Sequence, residues 1–317
     1  MAKNITFGVS VKHKLATDSL GNFDADGYAD IIANVEQLGY DFVVAADHVF
    51  VPPYWAEVIG DVFFEPFTLF SYLAARTSQI GLVFACMVVP YRQPFTTAKT
   101  VAAVDQLSRG RFSLGVVPGY LKEEFQTFGL PRDERGEMTN EFVRIMIKLW
   151  TSDSATYQGK YYSCENISIK PKCVQRPHVP IWVGGSSRNA MRRVAEFGDV
   201  WHPLGFEPVD EEYFASHKQE FTDSMQTGGT TPELLRSGVD YIKELAAKAE
   251  RDLSNLKVVV MAGGTADVRA GTDRVVDNLG RYIQAGATGF SMSAPGDTAE
   301  ECRDNLARFA EEVIPQL

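Results

Sequence analysis

The feature of this 317-residue chain that most restricts its fold is a repeated alternation of short apolar, β-prone runs with longer amphipathic ones. Residues 5–11, 41–48, 80–89, 111–119, 180–186, 199–204, 257–263 and 289–295 read as strands. Stretches with apolar residues three and four apart, at 26–38, 66–78, 96–108, 134–150, 188–197, 232–253, 273–285 and 298–314, read as the helices that follow them. The last of these places Leu306, Phe309, Ala310 and Val313 on one face. Eight strand-then-helix units are the number that closes a (β/α)8 barrel. A doubly wound open sheet alternates in the same way but opens with a glycine-rich turn, and strand one here runs on as GVSVKHK. The expectation is therefore an α/β chain forming a (β/α)8 TIM barrel, one domain over 1–317. Two segments break the alternation and read as insertions. One, rich in proline and aromatics, follows strand two. The other, at 156–175 after the fourth helix, has tyrosines alternating about a Gln158-Gly159 turn and reads as a β-hairpin.

Charge narrows the partners. A net charge of −10, scattered along the chain, argues against binding nucleic acid through its phosphates. The four cysteines, Cys86, Cys164, Cys173 and Cys302, form neither a C-x-x-C pair nor a zinc spacing, which reads as reduced thiols in a cytoplasmic protein. The N-terminus lacks the apolar core of a signal peptide and no apolar run reaches 18 residues, so no membrane association is expected.

A barrel of this kind carries its chemistry at the C-terminal ends of its strands. Strand two ends in Asp47-His48, an unusual close for an apolar run. An imidazole can give or take a proton near neutral pH, and an adjacent carboxylate can hold a ligand or a tautomer. The plainer alternative is a turn-capping Asp beside a rim His. Strand five runs into Gly184, Gly185, Ser186 and Ser187 ahead of a helix. Backbone N–H groups left open by the glycines make that turn suited to phosphate, the alternative being a simple serine N-cap. Cys86 lies within an apolar strand with no His or Lys beside it in sequence, and reads as packing. His202 would serve as a metal ligand only with partners that strand one does not offer, so no metal is expected. His13 and His178 read as loop residues and His217 as a helix-surface one.

Three stretches, EQLGYDFVVAADHVFVPP, ARTSQIGLVFACMVVPYRQPFTTAKTVAAVDQLSRGRFSLGVVPGYLKEEFQTFGLPRDERGE and KPKCVQRPHVPIWVGGSSRNAMRRVAEFGDVWHP, resemble the bacterial luciferase-like monooxygenase superfamily, most of all its probable F420-dependent oxidoreductases. The likeness is clearest over 1–205 and weakens between about 206 and 256. It implies a flavin or deazaflavin at the C-terminal mouth, with His48 as acid/base beside the reactive edge of the ring and Asp47 next to it. It implies a non-prolyl cis peptide in strand three, at Ala85-Cys86 or failing that Cys86-Met87, forming a bulge behind the ring. It assigns the phosphate to Gly184–Ser187. It implies a further contact with the cofactor from strand four, through Val117, Gly119 and Tyr120. There the chain departs from the family's G-V-G-x-G, with Val117 in place of a glycine and Pro118 removing a donor, while Tyr120 and Glu124 keep the motif's aromatic and acidic positions.

The resemblance leads first to an oxidoreductase passing hydride between coenzyme F420 and an apolar organic substrate, which Phe50, Tyr54, Trp55, Phe63 and Phe64 of the first insertion would surround. The alternative is an FMNH2-dependent monooxygenase acting through a flavin C4a-peroxide, a route closed to a deazaflavin. A non-catalytic flavin-binding barrel is the third, and it has no use for an Asp-His pair. Either enzyme implies a reductase supplying reduced cofactor, and the family implies a homodimer.

Overall fold

The computed structural model describes residues 5–18, 20–203 and 229–317. Strand β1 (Thr6–Ser10) leads through a short 3-10 turn to helix α1 (Ala25–Gln37), then β2 (Phe42–Ala45), α2 (Pro53–Ile59), α3 (Pro66–Arg76), β3 (Gly81–Val88) and α4 (Pro94–Leu107). Next come β4 (Phe112–Val117), α5 (Lys122–Thr127), α6 (Arg135–Thr151), the paired strands β5 (Ala155–Gln158) and β6 (Ser163–Ile167), β7 (Ile181–Gly184), α7 (Arg188–Phe197) and β8 (Val200–His202). Helix Pro232–Lys248, β9 (Lys257–Met261), helix Thr272–Ala285, β10 (Gly289–Ser293) and helix Ala299–Glu312 complete the order. The expected topology is present: β1-β10-β9-β8-β7-β4-β3-β2 form a closed barrel of parallel strands, and β5 and β6 pair antiparallel outside it.

Local chemistry explains where the helices start. Asp24, Gln93 and Ser187 each cap a helix by accepting from the backbone N–H three residues on. Proline opens α3 and α4, where its missing donor costs nothing. The strands alternate between two environments. Phe7 and Val9 of β1 and Phe290 and Met292 of β10 face the helices, in the large apolar layer that surrounds the barrel. Phe42, Val83, Ala85, Trp182, Val200 and Val259 form a separate cluster inside it. Phe42 occupies the space beside Gly8, where a Cβ on that glycine would collide with its ring. Burying each such aromatic contributes about 1.5–3 kcal/mol, so the interior is a packed floor beneath the mouth.

Several boundaries differ from the sequence reading, each for a local reason. β2 stops at Ala45, so Asp47 and His48 stand on the loop above it. β4 ends at Val117 because Pro118 has no N–H for the ladder. The expected helix 232–253 ends at Lys248, with Glu250 at a φ of 54°. Of the expected hairpin 156–175, only 155–158 and 163–167 pair; the return passes through cis prolyl bonds at Lys170-Pro171 and Arg176-Pro177. Helices α2 and α5 were not legible in the sequence. Leu204, the expected end of strand six, and His217 lie outside the described residues.

Candidate active site

Asp47 and His48 turn to different partners at the end of β2. Asp47 is 4% exposed. Its Oδ2 accepts from the Val88 N–H at 2.9 Å, and its Oδ1 accepts from Arg92 Nη2 at 2.7 Å. Arg92 also reaches Glu65 at 3.1 Å and lies over the rings of Phe67 and Phe84. Burial pushes the Asp47 carboxyl above the usual carboxylate range, and the Arg92 guanidinium and Val88 N–H oppose it. Asp47 thereby ties the end of β2 to the end of β3.

The His48 ring stands edge-on to Phe63, with centroids 4.9 Å apart. Its Nε2 is 3.5 Å from the Tyr120 hydroxyl, and its Nδ1 is 3.8 Å from Glu124 Oε1. Glu124 is 1% exposed. It accepts from the Val49 N–H at 3.2 Å and from the Tyr91 hydroxyl at 2.9 Å. Burial, reinforced by Glu124, pushes both the Tyr91 and Tyr120 phenols upward, so they remain donors. An ionised carboxylate only accepts, so the tautomer with its proton on Nδ1 suits Glu124 and leaves the Nε2 lone pair facing Tyr120. Tyr91 carried no signal in the sequence; only the fold brings it behind Glu124.

Across the mouth, the Ala85-Cys86 peptide is cis, and the β3–β4 register shifts between Phe84 and Met87. The Cys86 thiol is packed between β4 and β7. A Cβ on Gly115 would lie 3.0 Å from its Sγ and one on Gly184 would lie 2.7 Å away. Burial pushes this thiol up to about 12, which makes it a filler and not a nucleophile. Val117 fills the remaining room over Gly184, its Cγ1 lying 2.6 Å from where a Cβ would be. Gly119 has a φ of 83°, and a side chain there would meet Val88.

The Gly184–Ser187 turn is tethered on three sides. The Gly185 N–H donates to the His202 carbonyl at 3.0 Å, and Trp201 Nε1 donates to the Gly185 carbonyl at 2.9 Å. Ser187 caps α7, accepting from the Ala190 N–H at 3.2 Å. Ser186 Oγ accepts from the buried Thr230 hydroxyl at 2.6 Å, and Tyr282 donates to the Thr230 carbonyl. The proton of Ser186 is then left to donate elsewhere. Ser187 is therefore a cap and the Gly185 N–H is spent on His202, which leaves the Ser186 hydroxyl proton as the turn's donor beside the helix N-terminus. Thr230, 44 residues further along the chain, was invisible to motif reading.

The aromatic insertion divides. Phe63 meets His48, Trp55 meets Tyr120, and Phe50 packs near Phe128. Tyr54 donates to Glu123. Phe64 turns away to stack with Phe23, beside His13. His13, read as a loop residue, is buried, and burial lowers its pKa. His178 sits 2.8 Å from the Val179 carbonyl. His202 is buried inside the barrel, its Nδ1 2.6 Å from the Val259 carbonyl. Among the described residues no group of three or more His, Cys, Asp or Glu could hold a metal, and no helix is long and apolar enough to cross a membrane. The bulge, the glycines that admit it and the Ser186 hydroxyl at the start of α7 fit a flat ring with a phosphate tail.

The closed barrel of parallel strands alternating with helices is that of a (β/α)8 protein. The chain belongs to the luciferase-like monooxygenase family, whose model matches residues 5–217. It is 36% identical over 249 residues to an FMNH2-dependent dimethylsulfone monooxygenase of Pseudomonas fluorescens, covering 77% of this chain and 61% of that relative, so it spans less than two thirds of the relative's length. Among solved structures it superposes on the long-chain alkane monooxygenase LadA with a TM-score of 0.75 at 15% identity, over 100% of this chain and 92% of that one. It superposes equally on an F420-dependent secondary alcohol dehydrogenase in complex with an F420-acetone adduct, with a TM-score of 0.74 at 16% identity, over 98% and 99%.

Proposed function

We propose that this chain is a flavin-type oxidoreductase of one barrel domain, a monooxygenase that takes reduced FMN and acts on a small apolar organic substrate. The observation that carries the reading is His48, an imidazole at the barrel mouth set between Glu124, Tyr120 and Phe63. The 36% identity with an FMNH2-dependent monooxygenase supports FMN over the F420 expected first, for which the likeness in fold to an F420 enzyme decides nothing. Reduced flavin, when bound, supplies the electrons with which dioxygen is activated. The chain's own residues do the rest. Ser186, on the turn that Gly185 fixes to His202, holds the phosphate, and the Ala85-Cys86 bulge, with Val117, Gly119 and Tyr120 at its flank, backs the ring. His48 holds or moves a proton at Nε2, with Glu124 behind Nδ1. Trp55, Phe50 and Phe63 exclude water from the substrate space. The reading carries with it a separate reductase and a homodimer, each open to a reconstitution or a sedimentation measurement.

Titration of the protein with FMN and with F420, oxidised and reduced, followed by tryptophan fluorescence, tests the cofactor. Tighter binding of F420 would replace this reading with hydride transfer on the same site. His48→Ala should abolish turnover and leave cofactor binding in place; turnover that survives the substitution would take His48 out of the chemistry, and a wild type that binds cofactor without turnover would return the chain to a binding role.

A further inference from the structure

His202 is a polar side chain inside the barrel, beside the apolar cluster of Phe42, Trp182 and Val200, and it is only 2% exposed. It lies two residues beyond Val200 on β8, so it shares that residue's inward face. Its ring meets Trp182, another interior residue, edge-on with centroids 5.5 Å apart. Nδ1 lies 2.6 Å from the Val259 carbonyl. A carbonyl only accepts, so Nδ1 carries the proton and Nε2 presents a lone pair. Among the described residues, Nε2 has no hydrogen-bond partner. Burial pulls the pKa of this imidazole down to about 4, which keeps it a neutral acceptor at ordinary pH.

The level of the ring in the barrel matters as much as its tautomer. His202 pairs in register with Gly184, the glycine against which the Cys86 thiol and Val117 close. Its carbonyl receives the Gly185 N–H of the turn that leads to Ser186. It therefore stands on the layer where the bulge and the phosphate turn meet, at the floor of the mouth. A buried acceptor without a donor is unfavourable unless a ligand supplies one.

Resting on the flavin-type reading above, we propose that His202 Nε2 accepts a hydrogen bond from the imide N–H of the bound ring, fixing which end of the ring enters the barrel. Flavins and deazaflavins share that imide, so the contact serves either cofactor.

The test compares FMN with its N3-methyl derivative, which lacks the donor, on wild-type protein and on His202→Phe, which keeps an aromatic ring and removes the acceptor. Binding is followed by fluorescence and the variant's fold by thermal unfolding. Wild type should bind FMN about tenfold more tightly than the methylated ring, and His202→Phe should bring that ratio close to one. Equal binding of the two rings by wild type overturns the proposal whether or not the variant folds. A ratio preserved in His202→Phe overturns it as well. If wild type prefers the deazaflavin, the same comparison is made with its N3-methylated form. Binding of neither parent ring removes the flavin-type reading itself, and is distinct from binding without discrimination.

Discussion

His48 Nδ1 lies 3.8 Å from Glu124 Oε1, and the far oxygen of the same carboxylate is held by the Tyr91 hydroxyl at 2.9 Å. The imidazole thus has a polar back fixed by the protein and a front, at Nε2, that faces Tyr120. Glu124→Gln keeps the shape of the side chain and its bond to Tyr91 but weakens the attraction for an imidazolium. Turnover should fall about tenfold or more while the Kd for cofactor stays near its wild-type value, as steady-state kinetics beside a binding titration would show. A parallel loss of binding would assign Glu124 to the cofactor instead.

Gly184→Ala places a methyl 2.7 Å from Cys86 Sγ and 2.6 Å from Val117 Cγ1. Overpacking of this kind costs about 1–3 kcal/mol, measurable as a lower urea midpoint. Cys86→Ala removes one of the two collisions. The double variant should therefore be less destabilised than the sum of the singles, and strict additivity would mean that the thiol is not what Gly184 accommodates.

Thr230→Val deletes the hydroxyl that donates to Ser186 at 2.6 Å. With Ser186 no longer oriented, affinity for FMN should drop about fivefold to tenfold, while affinity for riboflavin, which lacks the phosphate, changes little. Equal losses for both ligands would place Thr230 away from the phosphate turn.

His202 is neutral in the folded protein down to a pKa of about 4, whereas the unfolded chain protonates it near the ordinary value of 6.5. Between those values the unfolded state binds the extra proton, so this residue's contribution to stability is lost as pH falls through that window. The difference is on the order of 3 kcal/mol. The buried His13, also lowered, acts in the same direction. Unfolding free energies at pH 7 and pH 4.5 should therefore show a smaller acid loss for His202→Phe than for wild type. Identical slopes would mean that His202 is protonated without penalty.

The sequence revealed the barrel because each stave carries its own signal, an apolar run punctuated by Gly, Pro or a cap. At the rim, Asp47-His48 and Gly184–Ser187 are contiguous motifs at strand ends, whereas the cis Ala85-Cys86 bond within β3 was implied only by the family resemblance. What the sequence hid are the relationships that closure creates. Tyr91 reaches Glu124 from 33 residues away, and Thr230 reaches Ser186 from 44. Neither residue looks unusual among its chain neighbours. The division of labour between Asp47 and His48 was hidden too, because adjacency in sequence says nothing about which way two side chains turn.

Arg92 has a consequence for how this scaffold can change. Its guanidinium grips Asp47 just before the aromatic insertion and Glu65 just after it, and Glu65 also caps α3 by accepting from the Thr68 N–H. The insertion between them is therefore a cassette with both ends clamped to one cation on β3's exit. Changes between residues 50 and 62 that leave Phe63 against His48 are expected to disturb the histidine less than loss of the clamp itself. Loss of Arg92 would couple every such change to the position of His48.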